Sequence, residues 1–287
     1  MSFTVVIPAL NEENAIGPLI DRLRALPVIP EIIVVNDGST DRTAEIAESK
    51  GVILVTHPVP GGYGRSVKDG MRQATNDIII VTDADGTYPI EDIPKLLQEF
   101  SRGFDMVVGA RSGKHYRGSF LKMPARILLK WLVEFTTGQS IPDINSGFRV
   151  FRKSVALEYV DDLCNGFSFT TTITLIYMLS GKFVGYMPIA YHARIGRSKV
   201  RIIRDSFRTL QYITEVIAIY NPLKLYVLLS TLLGIIATIG VAVSMFLDFG
   251  FIVLASFFFI SSFIVFAIGV HAHIVASASR RRATLDS

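Results

Sequence analysis

Asp83-Ala84-Asp85 directly follows the strand-like run Asp77–Thr82, whose centre is the uninterrupted apolar stretch Ile78-Ile79-Ile80-Val81. Such a run reads as a strand at the centre of a sheet, buried on both faces. Two carboxylates one residue apart at the end of that strand can reach a single hard divalent cation. Mg²⁺ takes one or two carboxylates and completes its shell with water and phosphate oxygens. The pair therefore suits a metal bound together with a diphosphate, and a solvated acidic turn is the plainer alternative. A second polar turn, Asn36-Asp37-Gly38-Ser39-Thr40-Asp41, follows the β-rich run Glu31–Val35. Gly38 permits the tight turn, and Ser39, Thr40 or Asp41 can cap the next helix. Capping does not require Asp37, which stands at the strand end ready to accept hydrogen bonds from a base or ribose. Pro8-Ala9-Leu10-Asn11-Glu12 occupies the matching place after Phe3–Ile7.

These turns need a scaffold that brings them together. Strand-like runs at Phe3–Ile7, Glu31–Val35, Val52–Thr56, Asp77–Thr82 and Met106–Gly109 alternate with helical stretches over Ala15–Leu26, from Thr40–Asp41 onward, Tyr63–Ala74 and Ile93–Phe100. Alternation of this kind predicts an α/β domain with a mostly parallel sheet and helices on both faces. In such sheets ligands bind outside the carboxyl ends of the strands, so the polar turns form one crevice.

The later part of the chain is different. Half of the 287 residues are hydrophobic and the mean hydropathy is +0.42, which points to membrane spans. Two apolar segments, 223–247 and 251–276, each exceed the roughly 20 residues that cross a bilayer as helix. Asp248-Phe249-Gly250 separates them, a turn fit for a tight hairpin. Arg201, Arg204, Arg208 and Lys224 precede the pair and Arg280, Arg281 and Arg282 follow it, so both ends are expected on the cytoplasmic side of the inner or plasma membrane. No signal peptide is read at the N-terminus. Gly234, Ala237 and Gly240 offer a small-residue stripe for homo-oligomer packing. Ser119–Thr136 and Ile203–Tyr220 mix apolar and basic residues in the manner of helices lying on a membrane surface. A core-facing helix is the alternative for the first. The expected layout is a catalytic domain over 1–200, a juxtamembrane amphipathic helix over 201–222, the two spans, and a basic tail over 277–287. The net charge of +4 fits an anionic membrane or a phosphorylated substrate. Basic runs interleaved with aromatics are missing, which disfavours nucleic acid. One cysteine, Cys164, excludes an intrachain disulfide and a multi-cysteine metal site.

Taken in order, Ile7-Pro8-Ala9-Leu10-Asn11-Glu12, Val35-Asn36-Asp37-Gly38-Ser39-Thr40-Asp41 and Asp83-Ala84-Asp85-Gly86 resemble the family 2 glycosyltransferases of the GT-A fold. Met106–Arg111, Asn145-Ser146-Gly147-Phe148-Arg149 and Gly196-Arg197-Ser198-Lys199 narrow the resemblance to dolichyl-phosphate mannose synthase and the bacterial polyprenyl-phosphate glycosyltransferases. The resemblance implies that Pro8, Leu10, Glu12, Val35 and Asp37 hold the nucleoside of a UDP- or GDP-sugar. It implies that Asp83 and Asp85, with the Ala84 backbone, hold Mg²⁺ or Mn²⁺ on the diphosphate, and that Arg111 faces the donor sugar or its phosphates. Arg126, Arg194, Ser198 and Lys199 are implied at the phosphate of a polyprenyl acceptor, undecaprenyl or dolichyl. Asp85, Arg111, Arg149 and Lys199 are the implied catalytic residues. Two departures stand out: Gly86-Thr87 follows the acidic pair where the family often has Leu-Gln, and Arg194 lies one residue nearer Lys199 than in the mannose synthases.

The expected reaction is inverting hexosyl transfer to a lipid phosphate. A phosphate monoester is already largely ionised at neutral pH, so positive charge matters more than a base. Anionic headgroups are the alternative partners for Arg126, Arg194 and Lys199. Competing readings are a processive polysaccharide synthase and a non-catalytic scaffold or flippase partner. The Gln-x-x-Arg-Trp motif of the former is missing around the single Trp131. The hydroxyl-rich run Ser168–Thr174 is left between acceptor lining and helix capping.

Overall fold

A computed structural model describes residues 1–112, 123–192, 202–245 and 250–285, with the backbone alone for 123–129, 202–207 and 279–285. The chain divides into two compact units, Met1–Ile213 and Thr214–Ser287.

The first unit is built on seven strands: β1 (Thr4–Ala9), β2 (Glu31–Asn36), β3 (Ile53–Thr56), β4 (Ile78–Val81), β5 (Met106–Ser112), β6 (Arg149–Arg152) and β7 (Val184–Ala190). They form one sheet in the order β3-β2-β1-β4-β6-β5-β7. Every pairing is parallel except those of β6, which runs antiparallel between β4 and β5. The five strands expected from the sequence are all present. β6 and β7 were not foreseen; the four residues of β6, beginning with an arginine, carry little strand signal. The reversal of β6 has a functional consequence: the loop that enters it arrives at the same sheet edge as the carboxyl ends of the parallel strands.

Strand periodicity sorts the two faces. Val5, Ile7, Val34, Ile80, Val107 and Val150 point one way, onto Ile16, Leu19, Ile20 and Leu23 of α1 (Glu13–Arg24) and Ile93, Leu96 and Phe100 of α4 (Ile93–Phe100). α1 buries a stripe at helical spacing, with Arg22 and Arg24 in its last turn. Val6 and Val35 point to the opposite face, where α3 (Tyr63–Gln73) lies close enough that a Cβ on Gly70 would clash with both. α2 (Thr43–Ser49) sits beside α1, and α7 (Phe169–Leu179) is buried along its whole length except at Leu179.

The unit also contains α5 (Met123–Thr137), α6 (Lys153–Leu157) and most of α8 (Ile202–Tyr220), so both amphipathic stretches are helical where described. The second unit holds α9 (Pro222–Ser244) and α10 (Gly250–Leu285). Both are long and apolar enough to cross a membrane, with mean hydropathies of 2.3 and 2.7 in their most apolar windows, of which 11% and 6% are buried. A soluble core helix would be covered, so this apolar surface asks for lipid. The small-residue stripe does not stay open for another copy of the chain. Gly240 faces Ala255 at close range, Gly234 faces Ser262, and Ser262 Oγ donates to the Ser230 carbonyl at 2.8 Å. The hairpin's own close packing takes up the stripe, which withdraws the sequence argument for oligomerisation.

Candidate active site

β1, β2 and β4 all deliver their carboxyl ends to one edge, and the chain's winding direction reverses between β1 and β4. That reversal opens the crevice in which α/β sheets hold ligands. The first two loops are locked together. Asn11 N donates to Ser39 Oγ (2.9 Å), and Thr40 N donates to Asn11 Oδ1 (2.7 Å). Asn11 adopts φ 49, a left-handed conformation that asparagine tolerates. The helix starts are cross-capped: Glu12 N donates to Thr43 Oγ1 (2.8 Å) and Glu13 N to Asp41 Oδ2 (3.2 Å). Asp41 also accepts from Thr43 N (3.0 Å), so it is the capping residue of the three expected, and Ser39 ties the loops instead.

Gly38, at φ 71, turns the chain away after Asp37. Asp37 is buried, and its carboxylate faces the loop between β3 and α3. Oδ1 accepts from Gly61 N (2.7 Å) and lies 2.7 Å from His57 Nδ1, while Oδ2 accepts from Gly62 N (2.9 Å). Pro8, Leu10 and Glu12 line the adjacent loop, each partly exposed. Val35 is fully buried beneath α3, in the sheet between Pro8 of β1 and Val55 of β3.

The acidic pair sits at the switch point. Asp85 is buried, and its Oδ1 accepts from Thr87 N (3.1 Å) and Thr87 Oγ1 (2.6 Å), with Gly86 at φ 73 making the turn. The Gly86-Thr87 departure thus has a local purpose: Thr87 fixes the rotamer of Asp85. Asp83 is enclosed by Gly147, in the loop entering β6, and by Tyr63 at the start of α3. A Cβ on Gly147 would stand 2.5 Å from Asp83 Oδ1 and 2.9 Å from Tyr63 Oη. Tyr88 Oη accepts from Gly147 N (2.8 Å). Burial, then the charge of Asp83, pushes both Tyr63 and Tyr88 well above the ordinary phenol range, so both remain protonated. The donor set fits a hard divalent cation: two carboxylates from one strand end, with a glycine backbone closing over one of them. Among the described residues no cluster of three or more His, Cys, Asp or Glu side chains forms a metal cage. A diphosphate and water can supply remaining ligands of such a cation.

Arg111, at the end of β5, makes a two-pronged ion pair with Asp143, Nε to Oδ2 at 2.7 Å and an Nη to Oδ1 at 2.9 Å, and lies 5.3 Å above the Tyr191 ring. Burial works against its charge, but the Asp143 bonds hold its pKa above the usual value. Tyr88 stacks on Phe148 and meets Tyr191 edge-on, which joins Arg111 to the Asp83 side of the crevice.

Arg149 stands within electrostatic reach of Tyr63, Tyr88 and Asp143. Its side chain is fully buried, and its guanidinium donates to the carbonyls of Ser146 and Thr170 (3.0 Å for the latter) and to Thr174 Oγ1 (3.1 Å). These contacts make it a brace between the Ser146-Gly147 turn and α7. The hydroxyl run is explained the same way. Thr171 Oγ1 donates to Asn145 Oδ1 (2.9 Å), Thr172 Oγ1 to the Phe169 carbonyl (3.1 Å) and Thr174 Oγ1 to the Thr170 carbonyl (2.8 Å). The first-turn amides of α3 are also engaged: Gly64 N donates to the Gly166 carbonyl and Arg65 N to that of Asn165. Arg126 lies in α5 with its side chain undescribed, and Arg194, Ser198 and Lys199 fall outside the described residues. His57, Tyr63, Tyr88 and Asp143 were not singled out from the sequence as site residues, while Thr87 and Gly147 were quoted there without a role. Asp143 and Gly147 flank or lie within a quoted motif, whereas His57 and Tyr63 carry no local signal.

The family model for glycosyl transferase family 2 matches residues 4–160, more than half of the chain and the part that builds the crevice. The protein is a family 2 glycosyltransferase. It is 32% identical over 219 residues to the low-salt glycan biosynthesis hexosyltransferase Agl6 of Haloferax volcanii, covering 74% of this chain but 52% of that protein, so it spans about half of that relative. It is 29% identical over 199 residues to a dolichyl-phosphate hexose transferase of the same organism, covering 68% of this chain and 85% of the relative. Its fold matches that of glucosyl-3-phosphoglycerate synthase from Mycobacterium tuberculosis, solved with Mn²⁺, UDP-glucose and phosphoglyceric acid, at a TM-score of 0.62 and 21% identity over 75% of this chain and 79% of the other. This likeness identifies the fold as GT-A.

Proposed function

We propose that this glycosyltransferase moves a hexosyl group from a UDP- or GDP-sugar to a polyprenyl phosphate, with inversion, at a membrane surface. The observation that carries this reading is the pairing, in one chain, of the Asp83–Asp85 crevice with two exposed apolar helices that a soluble acceptor would not require. The relative named dolichyl-phosphate hexose transferase supports the same acceptor class. Pro8, Leu10, Glu12 and Asp37 hold the nucleoside, and Asp83 and Asp85 hold the diphosphate through Mg²⁺ or Mn²⁺. When bound, the cation neutralises the leaving diphosphate. Thr87 and Tyr63 keep the two carboxylates aimed, and Arg111, braced by Asp143, presents fixed positive charge beside them. A phosphate oxygen of the acceptor attacks the anomeric carbon. The bond from that carbon to the diphosphate oxygen breaks, and the nucleoside diphosphate leaves with the electron pair. No proton transfer is needed. Arg126, Arg194, Ser198 and Lys199 are proposed around the acceptor phosphate. The catalytic unit and both chain ends lie on the cytoplasmic side of the membrane in this reading, following the positive charges that flank the hairpin.

The test is transfer of radiolabelled sugar into an organic-soluble lipid, using the full chain in membranes, Mn²⁺ or Mg²⁺, polyprenyl phosphate and a panel of nucleotide sugars. Label should enter the lipid with one donor and disappear in Asp85→Ala, which still inserts into membranes. No labelled lipid with any donor defeats the reading, and retained transfer in Asp85→Ala defeats the metal assignment.

A further inference from the structure

His57 occupies a guarded position. It follows β3, donates its backbone N–H to the Asn36 carbonyl at 2.9 Å, and is nine-tenths buried. Its two ring nitrogens face two different carboxylates: Nδ1 lies 2.7 Å from Asp37 Oδ1 and Nε2 lies 3.1 Å from Asp69 Oδ2. A carboxylate can only accept, so the bond to Asp37 is one in which Nδ1–H donates. Asp69, on α3, is held from outside by Arg72 at 2.8 Å and Arg65 at 3.6 Å. A line of polar contacts therefore runs from the surface arginines through Asp69 and His57 to Asp37.

The arrangement decides what Asp37 can offer. A carboxylate has about four lone-pair sites. Among the described residues Gly61 N and His57 Nδ1 occupy Oδ1, and Gly62 N takes one site on Oδ2. One acceptor position is left, on Oδ2, in a fixed direction. The turn packs closely on the next loop: a Cβ on Gly38 would meet the Val59 carbonyl carbon at 2.7 Å and Pro60 N at 2.8 Å.

We infer that His57 is a positioning residue of the donor site: it clamps Asp37 so that a single oxygen lone pair meets one hydrogen-bond donor of the nucleoside. This deepens the nucleotide-sugar reading and rests on it. The clamp acts on binding of the nucleotide and not on bond breaking, so its loss should appear in the donor KM and the nucleotide Kd.

The experiment titrates the full chain in detergent with UDP and with GDP, each with Mn²⁺, and measures donor KM and kcat in the transfer assay. His57→Ala should weaken binding of the preferred nucleotide about tenfold, the scale of one hydrogen bond to a charged group. His57→Asn places an amide N–H where Nδ1 stands and should recover most of that loss. His57→Gln places its amide nearer Nε2, toward Asp69, and should not. Equal rescue by Gln, or wild-type affinity in His57→Ala, overturns the inference while leaving the donor site intact. A loss that falls on kcat with KM unchanged also overturns it. A wild-type chain that binds neither nucleotide overturns the donor-site reading and this inference with it.

Discussion

Gly147→Ala isolates the geometry of the acidic pair. Gly147 has an ordinary backbone conformation, so alanine brings no backbone strain, and its amide can still donate to Tyr88 Oη. The added Cβ would stand 2.5 Å from Asp83 Oδ1, 3.0 Å from Asp83 Cγ and 2.9 Å from Tyr63 Oη. Reaching the ordinary contact distance of 3.4 Å requires the carboxylate to retreat by about 0.9 Å and the phenol by about 0.5 Å, or the β6 loop to move by as much. Arg149 resists loop movement, since it ties the Ser146 carbonyl to α7. A displacement near 1 Å in a group that positions the reacting phosphate costs about 10²-fold in rate. This corresponds to about 2.7 kcal/mol of transition-state stabilisation. The assay is sugar transfer into lipid, with Mn²⁺ affinity measured on the same protein and thermal unfolding as the folding control. Transfer within twofold of wild type, with unchanged Mn²⁺ affinity, would refute the claim that Asp83 depends on the bare backbone at Gly147.

Other perturbations read separate parts of the site. Thr87→Val removes the hydroxyl that orients Asp85 and should reduce transfer about tenfold, the scale of a hydrogen bond to a charged group, with a rise in the Mn²⁺ concentration needed. Asp143→Ala leaves the Arg111 guanidinium buried without its partner and should cost about 3–5 kcal/mol, seen as a melting point lower by roughly 6–20 °C; a shift under a few degrees would contradict the buried-pair assignment. Arg149→Met should lower the melting point by several degrees and reduce kcat only in proportion to folded protein, whereas a selective loss of kcat would place Arg149 among the reacting groups. Burial works against the charge on Glu31, but hydrogen bonds from Thr4 and Thr75 outweigh it and hold the pKa below its usual value. A depressed folded-state value stabilises fully above the unfolded pKa and is lost as pH falls through the folded one. Glu31→Gln should therefore be less stable than wild type at neutral pH, with the two melting curves converging in acid below about pH 4.5.

The apolar run before Asp83 and the alternation of strand and helix marked the parallel half of the sheet, and the turns after β1, β2 and β4 lie at one edge as the alternation required. The pattern failed at β6. Its polar ends and short length hide a strand whose reversal carries Gly147 and Asp143 to the crevice. The partners of Arg149 are hidden for a related reason: a motif gives its chemistry, and only the fold brings it to the Ser146 and Thr170 carbonyls. The hydroxyl run Thr170–Thr174 likewise reads as a polar lining until backbone partners are placed around it.

By itself the sequence determined the chemistry on offer: a carboxylate pair after a buried strand, polar turns to meet a nucleoside, and two segments long enough for a bilayer. Periodicity and composition are local properties, and these features need nothing else. Which lone pairs remain on Asp37, how tightly Gly147 closes on Asp83, and which carbonyls Arg149 meets were decided by tertiary structure alone. Each depends on residues 20 to 84 positions apart brought within hydrogen-bonding or contact distance, and no local pattern encodes such a meeting.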